Sequence, residues 1–291
     1  MDNANNNGNG NADAMDLSKW DIVLINTSGG KDSQAMLDHV VRLAREQGMT
    51  DRLVAVHADL GDEEWEGTKE LAQEQAEHYG VRFLVAKRDD TILDYVLRRD
   101  AMLKGKGKVT PPWPSSTARW CTSDFKRAPI RKVVTALVKE VRTARGWKMR
   151  DGNKVNVLNC MGLRAQESPA RAKRGAIETS DASNGIRNVV DWHPILNWTE
   201  KQVWENIQAS GVRHHEAYDR GMPRLSCCFC ILASKSALVR AAQLRPELLQ
   251  RYIEVEDKTG FTMRQGMSLR VIQDEARACG DAPAAVEPWN A

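Results

Sequence analysis

Ser28-Gly29-Gly30-Lys31-Asp32-Ser33 stands between two apolar segments, Ile22-Val23-Leu24-Ile25-Asn26 before it and Ala35-Met36-Leu37…Val40-Val41…Leu43-Ala44 after it. The first segment predicts a buried strand, and the second, apolar at helical spacing, predicts a helix. A strand, a Gly-Gly turn and a helix start together make a cradle for an anion. The glycines admit the ligand close to the backbone, and the first turn of the helix offers free N–H groups and the positive end of its dipole. Ser28 and Ser33 add hydroxyl donors, Lys31 adds a cation, and Asp32 can hold Mg²⁺. A Gly-rich turn with incidental charges is the alternative, but strand, glycines, Lys, Asp, Ser and helix stand here in the order that phosphate binding requires. Two familiar phosphate loops do not fit. The GxxxxGK[ST] loop needs a glycine where Ile25 stands and a Ser or Thr where Asp32 stands, and G-x-G-x-x-G is absent.

The string SGGKDS after an apolar strand resembles the signature of the PP-loop ATP pyrophosphatase superfamily. Three further segments, Arg119-Trp120-Cys121-Thr122-Ser123-Asp124-Phe125-Lys126-Arg127-Ala128-Pro129, Gly162-Leu163-Arg164-Ala165-Gln166-Glu167-Ser168-Pro169-Ala170-Arg171 and Arg224-Leu225-Ser226-Cys227-Cys228-Phe229-Cys230-Ile231, resemble its phosphoadenosine-phosphosulfate (PAPS) reductase-like branch. The resemblance covers about residues 20–240. It implies a Rossmann-like, adenine nucleotide alpha hydrolase-like sheet that binds ATP and cleaves it between the α- and β-phosphates, often adenylating an acceptor. The branch also holds assimilatory reductases, DNA-phosphorothioation proteins and phage-, plasmid- and CRISPR-associated members.

Along the chain, strand and helix alternate as Ile22–Asn26, Gln34–Glu46, Leu53–Ala58, Glu63–His78, Arg82–Ala86 and Ile92–Met102, the rhythm of a parallel sheet flanked by helices. A helix over Pro129–Arg145 and a strand over Val155–Met161 follow. Thr199-Glu200-Lys201-Gln202 is a capping box opening a helix through Ile207. From Leu238 onward the pattern is helical. The expected organisation is a disordered Asn/Gly/Ala-rich tail at 1–15, a nucleotide-binding α/β domain at 16–235 and a helical C-terminal extension at 236–291. Lys104–Ala118, with three Lys, two Gly and three Pro, reads as a mobile basic loop, and Arg164–Arg187 as a second irregular stretch. Ligands of open α/β sheets bind beyond the carboxyl ends of the strands, so both stretches would overhang the nucleotide or present a basic surface to a nucleic-acid or protein partner; the alternative is a pair of solvated loops.

At 291 residues and net charge +3, the chain can bury a sizeable core, and its charge is too small to argue for nucleic acid by itself. No apolar run approaches eighteen residues, and the N-terminus lacks a charged-then-apolar leader, which argues against a membrane span and against export. Six cysteines without a regular framework fit a reduced, cytoplasmic protein.

The candidate site residues follow. Lys31 and Asp32 are the expected catalytic pair. Ser28, Gly29, Gly30, Lys31, Ser33, Asp59, Gly162 and Arg164 are the expected nucleotide contacts. Asp59, at the end of the second strand, would meet ribose or metal, or else cap the next helix. Arg164 would clamp phosphate with its planar fork, and family resemblance raises it above its neighbours, whereas Arg171, Lys173 and Arg174 read as a charged surface run. Asp32 would hold Mg²⁺. Cys227 and Cys230 have CxxC spacing, and with Cys228 and Cys121 they are candidate ligands of a [4Fe-4S] cluster; simple burial of Cys227 or Cys228 is the alternative. Zinc is less suited, because there is no second CxxC or spaced His pair and the adjacent His214 and His215 diverge on most backbones. Cys160 reads as core. Cys279-Gly280 supplies only half of the C-terminal Cys-Gly-Leu-His segment that carries the nucleophile of assimilatory PAPS reductases, since Asp281 and Ala282 follow; an exposed cysteine without a role is the reading preferred here. Trp113, Trp120, Trp192, Trp198 and Trp204 lie among basic residues and could stack bases, with packing as the default. The function expected is ATP cleavage to AMP, or to an adenylated acceptor, and pyrophosphate. Its rivals are a thiol-dependent PAPS reductase and a nucleotide-binding accessory protein of a nucleic-acid modification or defence complex.

Overall fold

The computed structural model describes residues 15–280. Of the tail expected to be disordered at 1–15, residues 1–14 lie outside the described residues, as do 281–291, and Met15 is buried. In chain order the elements are β1 (Ile22–Thr27), α1 (Lys31–Glu46), β2 (Leu53–Asp59), α2 (Thr68–His78), β3 (Arg82–Lys87), α3 (Ile92–Gly105), α4 (Trp120–Thr122), α5 (Ala128–Ala144), β4 (Val155–Cys160), α6 (Pro169–Ala172), β5 (Ile177–Thr179), β6 (Arg187–Trp192), α7 (Glu200–Ser210), α8 (Lys235–Leu244), α9 (Pro246–Thr259) and α10 (Leu269–Ala278). A π-helical stretch, Ser123–Arg127, joins α4 to α5.

The strands form one sheet in the order β3-β2-β1-β4-β6-β5, parallel except for β5. This is the expected Rossmann-like α/β fold. Strand periodicity divides the core. Val23 and Ile25 face α1 and α7, while Ile22 and Leu24 join Val134, Leu137 and Val138 of α5 on the opposite face. A third cluster packs Leu238, Leu249, Ile253 and Ile272 of the C-terminal helices against Ile92 and Val96 of α3. Among the described residues no helix is long and apolar enough to cross a membrane.

Several local expectations are corrected. The helix expected from Glu63 starts at Thr68, because Gly61 and Gly67 adopt φ of 65° and 75° and a 3₁₀ turn, Gly61–Glu63, intervenes. The irregular stretch 164–187 contains α6 and β5 and leads into β6, in which Arg187 and Val189 are buried on one face and Trp192 on the other. The basic loop at 104–118 is pinned by Trp113, which is buried, stacks on Tyr252 and donates Nε1–H to the Phe261 carbonyl at 2.9 Å. Trp120 and Trp192 are likewise buried, Trp198 packs against the α1 core and Trp204 sits edge-on to Tyr218, so these indoles serve packing.

Candidate functional site

The sheet order reverses at β1: the chain steps outward through β2 and β3, then returns to place β4 on the other side of β1. The crevice at such a switch point, beyond the strand ends, is where open α/β sheets bind ligands. Two segments meet there, Ser28–Ser33 after β1 and Gly162–Arg164 after β4.

Gly29 adopts φ +69°, a conformation that costs glycine little and other residues more. Gly30 then caps α1 without any side-chain bond. Ser33 staples the turn: its Oγ accepts from the Ser28 N–H (3.0 Å) and donates to the Gly30 carbonyl (2.9 Å). The first-turn N–H groups of a helix have no carbonyl within it, and that of Lys31 donates to Tyr218 Oη at 2.9 Å. Gly162 approaches from the other side. A Cβ there would stand 2.8 Å from the Asp32 carbonyl oxygen and 3.0 Å from the Ser33 nitrogen, so Gly162 lets the β4 loop press on the start of α1.

Charges alternate around this turn. The Lys31 side chain is only 2 % exposed; its Nζ lies 3.2 Å from Glu200 Oε1, donates to the Pro223 carbonyl (3.0 Å) and stands 5.2 Å from the Tyr218 ring centre. Arg164 is buried and donates Nε–H to Asp32 Oδ1 and Nη1–H to Gln166 Oε1, the oxygen that also accepts the Glu200 N–H. Glu167 accepts the Arg164 N–H and pairs with Arg171 and Arg224. Lys31, Arg164, Arg171 and Arg224 thus answer three carboxylates, Asp32, Glu167 and Glu200, leaving one positive charge in excess. Arg171 belongs to this network rather than to a free surface run.

Asp59, one strand over, accepts from the Gly61 N–H (2.8 Å) and pairs with Lys87 (3.0 Å). Burial alone would raise its pKa, but these two partners outweigh it and hold the carboxyl below its ordinary range. In this structure it closes the turn after β2, and among the described residues it makes no bond to the phosphate loop.

The cysteines divide. Cys121, Cys227 and Cys230 lie near Lys126, whose pKa is raised against its burial by its electrostatic coupling to Cys227 first, then to Glu64, Cys230 and Cys121. Burial pushes the Cys227 thiol up to about 12, with Lys126 opposing, and raises Cys121 as well. Cys228 turns instead to Arg245, with Sγ 3.9 Å from Nη1. Cys228 thus stands apart from the other three candidate ligands, and among the described residues no three His, Cys, Asp or Glu side chains stand in a metal-holding arrangement. The residues as placed do not fit a four-thiolate cluster. Cys160 is buried in the core and Cys279 is exposed where α10 ends. His214 and His215 diverge, to Asp219 and to Thr68 respectively.

Sequence reasoning did not name Tyr218, Pro223, Gln166 as a bridge, or Glu200 beyond its capping box. Only Glu200 carried a signal, being the first residue of a well-capped helix.

A model of the phosphoadenosine phosphosulfate reductase domain matches residues 22–233. An uncharacterized 37.8 kDa protein of Escherichia phage 186 is 32% identical over 157 residues, 54% of this chain and 42% of that protein. The adenosine 5'-phosphosulfate reductase of Allochromatium vinosum is 28% identical over 167 residues, 57% of this chain and 54% of that one. The chain spans about half the length of these curated relatives. A crystal structure of PAPS reductase from Candida auris in a phosphate complex is similar at 16% identity and TM-score 0.42, over 72% of this chain and 83% of that one.

Proposed function

This chain belongs to the phosphoadenosine phosphosulfate reductase domain family, and from that premise we propose that it binds ATP at Ser28–Ser33 and cleaves it between the α- and β-phosphates, yielding AMP or an adenylated acceptor and pyrophosphate. The observation that carries the reading is Lys31: a nearly buried ammonium at the start of α1, beside a glycine turn, held by a carboxylate and a carbonyl. Both partners can give way to the phosphates of a nucleotide. A cation fixed at that place stabilises charge developing on the leaving pyrophosphate, commonly the largest catalytic effect. Arg164 is oriented by Asp32 and Gln166, so its guanidinium is already positioned when a phosphate arrives.

Mg²⁺ is commonly held by one or two carboxylates together with substrate phosphates. Asp32 gives Arg164 one oxygen, Oδ1, and its other oxygen is the protein atom that would hold the ion. When bound, Mg²⁺ would neutralise charge on the phosphate oxygens.

A second reading, a thiol-dependent PAPS reductase, rests on Cys279, an exposed thiol just past α10. Such an enzyme attacks sulfur and leaves the phosphates in place. One assay separates the two: ATP and PAPS are supplied in turn, the latter with reduced thioredoxin, and AMP, pyrophosphate and sulfite are measured. AMP and pyrophosphate from ATP support the first reading. Sulfite from PAPS, abolished by Cys279→Ser, with nothing from ATP, would replace it with the second.

A further inference from the structure

Residues 213–233 carry neither helix nor strand, yet they cross directly over the phosphate loop. Arg213 ties one end to Glu74, and His215 bonds Thr68. Tyr218 Oη then accepts two backbone N–H groups, that of Lys31 (2.9 Å) and that of Leu225 (3.3 Å). The chain turns at Gly221, φ +86°, and returns so that the Pro223 carbonyl takes the Lys31 ammonium and Leu225 covers both loop glycines. Two residues further, Cys227 enters the group formed with Cys230, Cys121 and Lys126.

The Lys31 N–H is a donor that an anion at a helix N-terminus would take. Here a phenol oxygen takes it. That phenol stays neutral, because burial pushes its pKa far up. A neutral acceptor is the weaker competitor, since hydrogen bonds to an ionised acceptor are roughly twice as strong. A phosphate oxygen can therefore displace the phenol, but only if the segment that carries Tyr218 moves, and that segment also carries Cys227 and Cys230.

We propose that Tyr218 is an internal stand-in for a phosphate oxygen, and that residues 213–233 form a strap which a nucleotide phosphate displaces, further exposing the half-buried Cys227 and Cys230. The proposal rests on the nucleotide reading of the loop and adds its gating. It differs in sign from an ordinary contact role: a tyrosine that binds the ligand loses affinity when its hydroxyl is removed, whereas a plug gains it.

The test uses the full chain and Tyr218→Phe, which keeps the ring packed against Trp204. Binding of ATP and of inorganic pyrophosphate is measured by calorimetry. Alkylation of Cys227 and Cys230 by iodoacetamide is followed by peptide mass spectrometry with and without ATP. Tyr218→Phe is expected to bind about tenfold tighter, the equivalent of losing one to two competing net hydrogen bonds. It should also alkylate Cys227 and Cys230 faster without ligand. In the wild-type protein, ATP alone should speed the same alkylation; ATP that binds and leaves the rate unchanged or lower overturns the strap, whatever the variant does. Equal or weaker ATP binding by Tyr218→Phe overturns the plug and leaves the nucleotide reading intact. No ATP or pyrophosphate bound by either protein discards the nucleotide reading and, with it, the displacement of the strap by a phosphate.

Discussion

Gly162→Ala should damage the candidate site without touching any of its charged groups. The new Cβ would stand 2.8 Å from the Asp32 carbonyl oxygen, 2.9 Å from the Asp32 carbonyl carbon and 3.0 Å from the Ser33 nitrogen. Ordinary contact starts at 3.4 Å, so the shortfall is about 0.6 Å. All three neighbours are backbone atoms, and no rotamer change relieves them. Either the β4 loop or the start of α1 must move. Overpacking of this kind costs ~1–3 kcal/mol, and in a chain of this size each kcal/mol lowers the midpoint of thermal unfolding by roughly 2–4 °C. If α1 yields, Lys31 and the Asp32–Arg164 pair move with it. A misplacement of about 1 Å costs roughly 10²-fold in rate, so a shift near half that size should cost about tenfold.

The assays are thermal unfolding and pyrophosphate release from ATP. Gly185→Ala is the control, because its Cβ would meet nothing within 4 Å. Gly162→Ala with wild-type melting would refute the steric argument. Normal melting with tenfold slower release would instead locate the damage in the loop alone, and loss of both in equal measure to the control would show that the assay reads any glycine replacement.

Three other outcomes are expected. Lys31→Ala should lower pyrophosphate release by about 10²–10³ with far-UV circular dichroism unchanged, as loss of one positioned electrostatic contact commonly does; release at the wild-type rate would remove Lys31 from the chemistry. Arg164→Met leaves the Asp32 carboxylate without its buried partner, and the unfolding free energy from urea titration should fall by an amount approaching the ~3–5 kcal/mol that breaking a buried pair costs; an unchanged value would mean the pair is not formed in solution. Glu63 is fully buried with Oε2 unpartnered, and burial raises its pKa. The native state therefore keeps this proton to higher pH than the unfolded chain does, and the stability it contributes, complete below the ordinary carboxylate range, is lost as pH rises through the raised value. Glu63→Gln should flatten the decline in stability above pH ~5, at most about 1.4 kcal/mol per pH unit for one proton, and parallel urea-midpoint curves for the two proteins would contradict it.

The parts of this fold that were legible in the sequence are those written locally. Ile22–Thr27, the glycine turn and α1 lie within one continuous stretch, and the Thr199–Gln202 capping box opens α7 as read. The parts that were missed depend on partners far away. β5 has three residues and is a strand only because β6 pairs with it. β6 turns Arg187 inward, which spoils the apolar alternation, and the charge is accommodated by the Ala182 carbonyl and Thr135 Oγ1. The helical run from Trp120 to the start of α5 passes through a π-helical stretch, whose spacing departs from the 3.6-residue period used to find helices. Tyr218, Glu200 and Pro223 converge on Lys31 from more than 160 residues away in the chain, and no local pattern marks them.

The cysteines show why spacing alone is a poor guide to a ligand set. In chain that is neither helix nor strand, adjacent side chains diverge. His214 and His215 point apart, to Asp219 and Thr68. The same holds for Cys227 and Cys228. Cys227 faces Lys126, whereas the Cys228 N–H bonds the Glu63 carbonyl and its sulfur turns to Arg245. Lys126, in the π-helical stretch before α5, is coupled electrostatically to the CxxC pair and to the distant Cys121. What assembles there is three thiols around an ammonium, against the segment that also covers the phosphate loop. The chemistry of the thiols and the occupancy of the loop are thus tied to one piece of chain, and a measurement on either should register at the other.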